Sequence, residues 1–112
     1  MINVGIKFSF EGFHNFPDAS SIFGKEVQFL ESRHRHNFTV IAKKQVEHSN
    51  RDREFILLQR EVRDYIERNY GRPAELGAKS CEMICQDIAE AYDFDYVYCD
   101  EDSENFSEFI KD

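Results

Sequence analysis

A strict alternation of apolar and polar residues at the start of the chain constrains its fold more than any other feature. Between residues 2 and 10 every second side chain is apolar, and the residues between them are small or polar. Successive side chains of a β-strand point to opposite faces of a sheet, so this pattern predicts a strand with one buried face. The predicted buried side chains are Ile2, Val4, Ile6, Phe8 and Phe10.

A second strand is predicted at about residues 36–47, after a loop that contains Pro17 and Gly24. His34 and His36 stand at its beginning and have the same parity, so we expect both imidazoles on one face of the sheet. The apolar residues that share this parity are Phe38, Val40 and Ala42.

Further along the chain the apolar spacing changes from two to three or four, which predicts an amphipathic helix that ends at Tyr70. We expect a short apolar strand at residues 55–57 to lead into this helix. Ser80 is a good N-cap for a second helix that extends to Tyr92. A last strand is predicted at residues 96–100, followed by an acidic tail. Strands and helices that are grouped in this way predict an α+β fold.

Length and composition limit the function classes that need to be considered. The 112 residues can bury one core, which predicts a single domain, and no apolar run approaches the roughly 20 residues that cross a bilayer. The N-terminus lacks the pattern of a signal peptide, and an odd number of cysteines, three, argues against a disulfide framework. We therefore expect a soluble cytoplasmic protein. A net charge of −8 disfavours nucleic acid and anionic membranes as partners.

The sequence HRH at residues 34–36 is a candidate metal-binding pair. Alternate residues of a strand lie about 6.5–7 Å apart on one face, close enough for two imidazoles to bind one ion. His14 is the natural third ligand, because antiparallel pairing of the first two strands would bring it near His36. Three histidines with an open fourth position are typical of a catalytic zinc site. The alternatives are two surface histidines and, for His14, a half-buried residue in a loop.

Several segments together resemble the 6-pyruvoyl-tetrahydropterin synthase and 6-carboxy-tetrahydropterin synthase family. They are FSFEGFH at 8–14, HRHNF at 34–38, SCE at 80–82 and a final strand that reaches Glu101. The chain is most similar to short members that carry HRH where better-known enzymes carry HGH. The resemblance implies the tunnelling fold, in which a four-stranded antiparallel sheet carries two helices on one face in a ββααββ-like order. It also implies a homotrimer or homohexamer.

The resemblance also implies roles for individual residues. His14, His34 and His36 would be the zinc ligands, and Glu101 would grip the amino-pyrimidinone edge of a pterin. A carboxylate suits that second role, because it can accept two parallel hydrogen bonds from an amino group and the adjacent ring N–H. Ser80 and Glu82 would contribute to the same pocket, although a helix cap with an acidic first turn explains both residues equally well.

Other positions depart from the family pattern. The cysteine that many members carry four residues before the first histidine of the pair is Leu30 here, and Glu31 corresponds to relatives that use a glutamate as the base. The family's Asp-His pair is missing, and His48 is a candidate substitute. Arg35 replaces a glycine, and alternation turns it away from the zinc face. It is a candidate for binding a phosphate or a neighbouring subunit, with a simple ion pair as the alternative.

These observations lead to two functional hypotheses. The first is a zinc-dependent lyase that acts on a dihydropterin triphosphate or a related reduced pterin, with Glu31 or His48 moving a proton. The second is a protein of the same fold that binds zinc and a pterin or purine-like ligand without turnover. A purely structural protein would make the three histidines accidental.

Overall fold

The computed structural model describes residues 1–112 as an α+β fold with a five-stranded, mixed, open sheet and four helical segments. The elements, in chain order, are β1 (Ile2–His14), α1 (Ala19–Phe23), a 3-10 helix (Lys25–Glu31), β2 (His34–Val46), α2 (Phe55–Tyr70), β3 (Ala74–Gly77), α3 (Cys81–Tyr92), β4 (Tyr96–Glu101) and β5 (Asn105–Ile110). No helix is long and apolar enough to cross a membrane.

The sheet has the strand order β3-β1-β2-β4-β5. β1 and β2 are its longest strands and pair antiparallel over their whole length, from Ile2 opposite Val46 to His14 opposite His34. β4 and β5 extend the sheet antiparallel on the side of β2. β3 is the one parallel neighbour, and it pairs with β1 only at the end that carries His14. The histidine end of β1 is therefore flanked by strands on both sides.

The core lies between one face of this sheet and the helices α2 and α3. The alternating apolar residues of β1, β2 and β4 supply the sheet side, and α2 and α3 each contribute a stripe at helical spacing. The sheet residues of the core include Ile6, Phe8, Phe38, Val40, Ala42, Val97 and Cys99, and the helix residues include Leu58, Val62, Ile66, Ile84, Cys85 and Ile88. The parity predicted for β1 and β2 thus matches the face that packs against the helices, except that Ile2, at the far end of β1, is exposed and not buried.

Four details of the predicted organisation were wrong. The segment between β1 and β2 that was predicted as a loop contains α1 and the 3-10 helix, so the chain has four helical segments and not two. Residues 55–57 are the first turn of α2 and not a strand, because the side chain of Glu54 caps that helix by accepting a hydrogen bond from the Ile56 N–H at 3.0 Å. β3 was not predicted, since its four residues are too short to show a clear alternation. The segment read as an acidic tail contains β5, so the sheet has five strands, one of them parallel, and not four antiparallel strands.

Candidate metal centre

The three histidines predicted from the sequence lie side by side at one end of the β1–β2 ladder. His14 is directly opposite His34, and Gly12 is opposite His36. Alternation turns all three imidazoles to the face that carries the core, and their ring centroids are 4.6 to 5.1 Å apart in edge-to-face arrangements. His14 is buried, with 8% of its surface exposed, although it was expected just beyond the strand end. The pairing of β1 with β2 therefore assembles the cluster.

Phe38 forms the floor beneath the histidines. Its fully buried ring meets His14 and His36 edge to face at centroid distances of 5.5 and 5.7 Å and stacks on Phe10 at 5.2 Å. Gly12 makes room for this ring, because a Cβ at position 12 would lie 3.0 Å from Cε2 of Phe38 and 3.1 Å from Cδ1 of Leu76. The apolar floor limits the orientations that the two imidazoles can take.

The Nδ1 atom of each histidine is engaged by an oxygen outside the cluster. Nδ1 of His14 lies 2.8 Å from the Lys79 carbonyl oxygen, and Nδ1 of His34 lies 2.8 Å from the Ser32 carbonyl oxygen. Nδ1 of His36 lies 2.6 Å from the Asp102 carboxylate. Because these oxygens can only accept, each Nδ1 carries the proton, which leaves each Nε2 lone pair for a ligand in the neutral imidazole.

The arrangement fits a transition-metal ion. One ligand atom from each of His14, His34 and His36 can be chosen so that all three lie within 4.8 Å of one another. Imidazole nitrogen suits zinc, copper, iron and nickel, and three histidines with one further position form a known type of zinc site. Oxygens that orient the distal nitrogens are a usual companion of histidine ligands. The cluster is therefore a candidate metal site.

Asp102 was not predicted as a site residue. It lies in the turn between β4 and β5, where its second carboxylate oxygen accepts a hydrogen bond from the Asn37 N–H at 2.7 Å. The hydrogen bonds from Asn37 and His36 hold the pKa of Asp102 below its usual value. A signal was present in the sequence, since Asp102 directly follows a strand that was predicted to end near the site. Within the run DEDSE, however, nothing distinguishes it from its acidic neighbours.

Glu101, at the end of β4 opposite Phe38, is the acidic group closest to the imidazoles. Its Oε2 lies 3.1 Å from Nε2 of His14 and 3.7 Å from Nε2 of His36. Burial lowers the pKa of His14, but the hydrogen bonds to Glu101 and to the Lys79 carbonyl outweigh it and leave this pKa raised. The hydrogen bond from His14 lowers the pKa of Glu101, against the effect of burial. His14 and Glu101 therefore form an ion pair whenever the imidazole is protonated.

The loop that reaches His14 is held by a polar network. The Lys79 ammonium lies 2.5 Å from the Asp87 carboxylate of α3, which also accepts a hydrogen bond from the Tyr70 hydroxyl of α2 at 3.2 Å. The Lys79 carbonyl is the oxygen that orients His14. Both large helices thus help to position one histidine of the cluster.

The other predicted site residues near α3 have local structural roles. Ser80 caps α3 by accepting a hydrogen bond from the Met83 N–H at 3.1 Å, and Glu82 lies in the first turn, as the capping alternative expected. The Glu82 carboxylate accepts a hydrogen bond from the Ser107 hydroxyl at 3.3 Å. Cys81, which lies between Ser80 and Glu82, is buried, and its thiol donates to the Cys99 carbonyl. Because Ser80 follows Lys79, the N-terminus of α3 begins beside His14.

The Glu31 side chain is engaged away from the histidines. Its main chain is near the site, where its carbonyl accepts a hydrogen bond from the Asn15 side chain at 3.1 Å. Its carboxylate instead accepts hydrogen bonds from the Ser20 hydroxyl and from the Ser20 N–H. These two hydrogen bonds lower the pKa of Glu31, which makes it a weaker base.

The structure does not bring His48 or Arg35 to the cluster. His48 follows the far end of β2, whereas His34 and His36 begin that strand, so roughly 30 Å or more separates them. The exposed His48 imidazole pairs with Asp52 at 3.5 Å. Arg35 points to the opposite face of the sheet and pairs with Glu11. Strand geometry therefore excludes both residues from this centre within one chain.

A scan against models of known protein families finds no match to this chain, and a search of curated proteins finds no significantly similar relative.

Proposed function

We propose that this protein is a zinc-dependent lyase of the 6-pyruvoyl- and 6-carboxy-tetrahydropterin synthase type. The observation that carries the proposal is the convergence of His14, His34 and His36 with each Nδ1 held by an oxygen outside the cluster. Such a donor set fits zinc, and zinc would supply a Lewis acid that polarises a substrate hydroxyl or carbonyl oxygen. Antiparallel strands β1, β2, β4 and β5 with α2 and α3 on one face support the tunnelling fold.

The proposed substrate is a reduced pterin such as dihydropterin triphosphate. Support comes from the N-terminus of α3, where Ser80 and Glu82 begin a helix directly after the loop that contacts His14. Glu101 is proposed to hold the amino-pyrimidinone edge of the ring through paired hydrogen bonds, which a carboxylate is suited to accept. In this proposal the histidines bind the metal and the carboxylates orient the ring.

Glu31 is the proposed base for this reaction. Its main chain lies beside Asn15, which follows the proposed zinc ligand His14. The proposal requires the side chain to rotate away from Ser20, which binds the carboxylate in this structure. His48 is left out of the proposed chemistry because it lies beyond the opposite end of β2.

A second candidate is a protein that binds zinc and a pterin or purine-like ligand without turnover. The engagement of the Glu31 carboxylate by Ser20 favours it, because a carboxylate with a lowered pKa is poorly suited to accept a proton. The Asp-His pair at the cluster, Asp102 with His36, includes a proposed metal ligand, and the pair formed by His48 and Asp52 is remote, so neither is placed to take over the task.

Turnover measurements with zinc-loaded protein and dihydroneopterin triphosphate separate the two candidates. For a lyase, the wild type forms product and Glu31→Gln lowers the rate by about 10²-fold, the usual contribution of a positioned base, while zinc and ligand affinity are kept. Glu26→Gln is the matched control, because Glu26 is an exposed acid in the same 3-10 helix. Ligand binding by calorimetry without product supports the second candidate. If the protein neither binds the ligand nor forms product, both candidates are refuted.

The proposed assembly is a homotrimer or homohexamer. β1 pairs with β2 along its full length, but on its other side β3 reaches only Gly12, Phe13 and His14. The rest of that edge of β1 has no neighbouring strand, and pairing with another copy of the chain would satisfy it.

A further inference from the structure

The carboxylate of Glu101 faces the metal-binding nitrogens of two histidines at once. The same oxygen, Oε2, lies 3.1 Å from Nε2 of His14 and 3.7 Å from Nε2 of His36. No other side chain donates a hydrogen bond to this carboxylate. The Glu101 carboxylate therefore points into the cluster of histidines.

These distances match the spacing of ligand atoms around one zinc ion. Four ligands at about 2.0–2.1 Å from a tetrahedral zinc are separated from one another by about 3.3–3.4 Å. The two separations of Oε2 from His14 and His36 lie on either side of that value. An ion bound through Nε2 of His14 and Nε2 of His36 would therefore have the Glu101 carboxylate beside it.

The contacts of His14 show which of its ring nitrogens faces Glu101. His14 donates from Nδ1 to the Lys79 carbonyl, and its Nε2 is at hydrogen-bond distance from the Glu101 carboxylate, which can only accept. A zinc ion between these two atoms would connect the same nitrogen and the same oxygen.

The carboxylate of Asp102, the residue after Glu101, is already engaged in two hydrogen bonds. Its two oxygens accept hydrogen bonds from Nδ1 of His36 and from the Asn37 N–H. It orients a ligand from outside, whereas Glu101 faces Nε2 atoms on the inside of the cluster. Asp102 would thus orient a histidine ligand of the ion, whereas Glu101 is placed to contact the ion itself.

We propose that Glu101 is the fourth protein ligand of the zinc, so that the resting centre is a closed site of three histidines and one glutamate. This inference rests on the zinc site of the proposed function. A closed site has no open coordination position, so a substrate oxygen has to displace Glu101 or bind as a fifth ligand. Displacement would release the carboxylate that the proposed function uses to hold the ring.

Zinc affinity tests the proposal without any measurement of turnover. Competition with a chromophoric chelator should show zinc affinity at least about tenfold weaker in Glu101→Gln than in the wild type. Glu104→Gln is the matched control, because Glu104 is an exposed acid in the same β4–β5 turn without a side-chain partner in the cluster. Circular dichroism of the metal-free variants checks that each is folded, and Glu101→Asp, which keeps the charge on a shorter side chain, should have intermediate affinity.

Cobalt(II) substitution tests whether the fourth position is closed. Azide should change the visible spectrum of the Glu101→Gln cobalt protein at lower concentration than that of the wild type, because the variant leaves one position to solvent. Equal zinc affinity and equal azide sensitivity in the two proteins would overturn the proposal.

His34→Ala separates failure of this inference from failure of the zinc site itself. If His34→Ala abolishes zinc binding while Glu101→Gln leaves zinc affinity within about twofold of the wild type, the three histidines bind zinc without Glu101 and only the inference fails. If the wild type binds no zinc, the proposed function and the inference fail together.

Discussion

Asp102 accepts a hydrogen bond from Nδ1 of His36 at 2.6 Å, and its other oxygen accepts one from the Asn37 N–H at 2.7 Å. The second contact fixes the carboxylate, and the first fixes the plane and the tautomer of the imidazole. A carboxylate in this position also makes the opposite ring nitrogen a better donor to a metal. Asp102 is therefore a positioning residue for the candidate metal site.

Asp102→Asn should lower zinc affinity by about 10- to 100-fold, the usual effect of removing an outer carboxylate partner of a histidine ligand. Asp52→Asn is a matched control, because Asp52 also pairs with a histidine, His48, but far from the cluster. Chelator competition measures both variants. Equal zinc affinity in Asp102→Asn and the wild type would show that His36 is oriented without this contact.

His34→Ala should reduce the zinc content of the purified protein from about one ion per chain to a small fraction of that, since two histidines cannot complete the site. His48→Ala removes an exposed histidine at the other end of β2 and should leave the content unchanged. Elemental analysis after dialysis against dilute zinc gives the stoichiometry. A similar loss in both variants would indicate non-specific binding to surface histidines.

Zinc binding should weaken as the pH falls through the raised pKa of His14. In the metal-free protein the pairing with Glu101 and Lys79 raises this pKa above 6.5, so zinc has to displace a proton below it. Affinity should increase with pH and become constant above the pKa of folded His14. Titrations between about pH 5 and pH 8 with NMR of the His14 ring measure both quantities. A flat affinity over this range would contradict the ion pair.

The same pair predicts the pH dependence of stability in the metal-free protein. Because the pKa of folded His14 is raised, its contribution is complete below the unfolded value of 6.5 and is lost as the pH rises through the folded pKa. Because the pKa of folded Glu101 is lowered, its contribution is present above 4.5 and is lost as the pH falls through the folded pKa. Urea unfolding should find this contribution complete between those two unfolded values and smaller in Glu101→Gln, where the Lys79 carbonyl still favours the protonated imidazole.

Phe38→Ala should reduce the free energy of unfolding by about 3–5 kcal/mol, because the ring is fully buried and its loss leaves a cavity beneath two histidines. Zinc affinity should decrease as well, since His14 and His36 lose their common support. Phe106→Ala removes a ring that is 58% exposed and should change stability by less than about 1 kcal/mol. Denaturant titrations compare the two, and equal losses would show that Phe38 is not a core residue in solution.

The open edge of β1 predicts self-association. Sedimentation equilibrium at micromolar concentration should give the mass of a trimer or a hexamer, since pairing between copies covers strand edges that the monomer leaves free. Val4→Pro, which removes a backbone N–H from the part of β1 that β3 does not reach, should weaken the assembly. A monomeric wild type would refute the proposed trimer.

Local patterns in the sequence predicted the parts of this fold that depend on residues close together in the chain. Alternation at residues 2–10 and 36–47 predicted strands that β1 and β2 contain, and parity predicted a common face for His34 and His36. Ser80 was predicted as a helix N-cap from its place before a helical pattern, and it caps α3. Covalent geometry dictates such features, because the direction of a side chain follows from the local backbone.

The same reasoning failed where a short segment is compatible with two kinds of secondary structure. Residues 55–57 are apolar and short enough for a strand, but the Glu54 cap and the following apolar residues of α2 make them helical. β5 was missed because it directly follows the acidic run at 100–104, although the strand itself contains only one acid, Glu108, which is exposed as an edge strand tolerates. In both segments the outcome depends on what the segment packs against.

The sequence by itself determined the residue types of the candidate site and the face on which His14, His34 and His36 lie. Only the tertiary structure decided what these side chains meet. His14 contacts a carbonyl 65 residues away, and His36 contacts a carboxylate 66 residues away. These contacts, and the direction of Glu101 into the cluster, depend on the register of β4 against β2 and on the path of the chain between β3 and α3. Register is set by the packing of the whole core, and a shift of one residue would turn Glu101 to the opposite face.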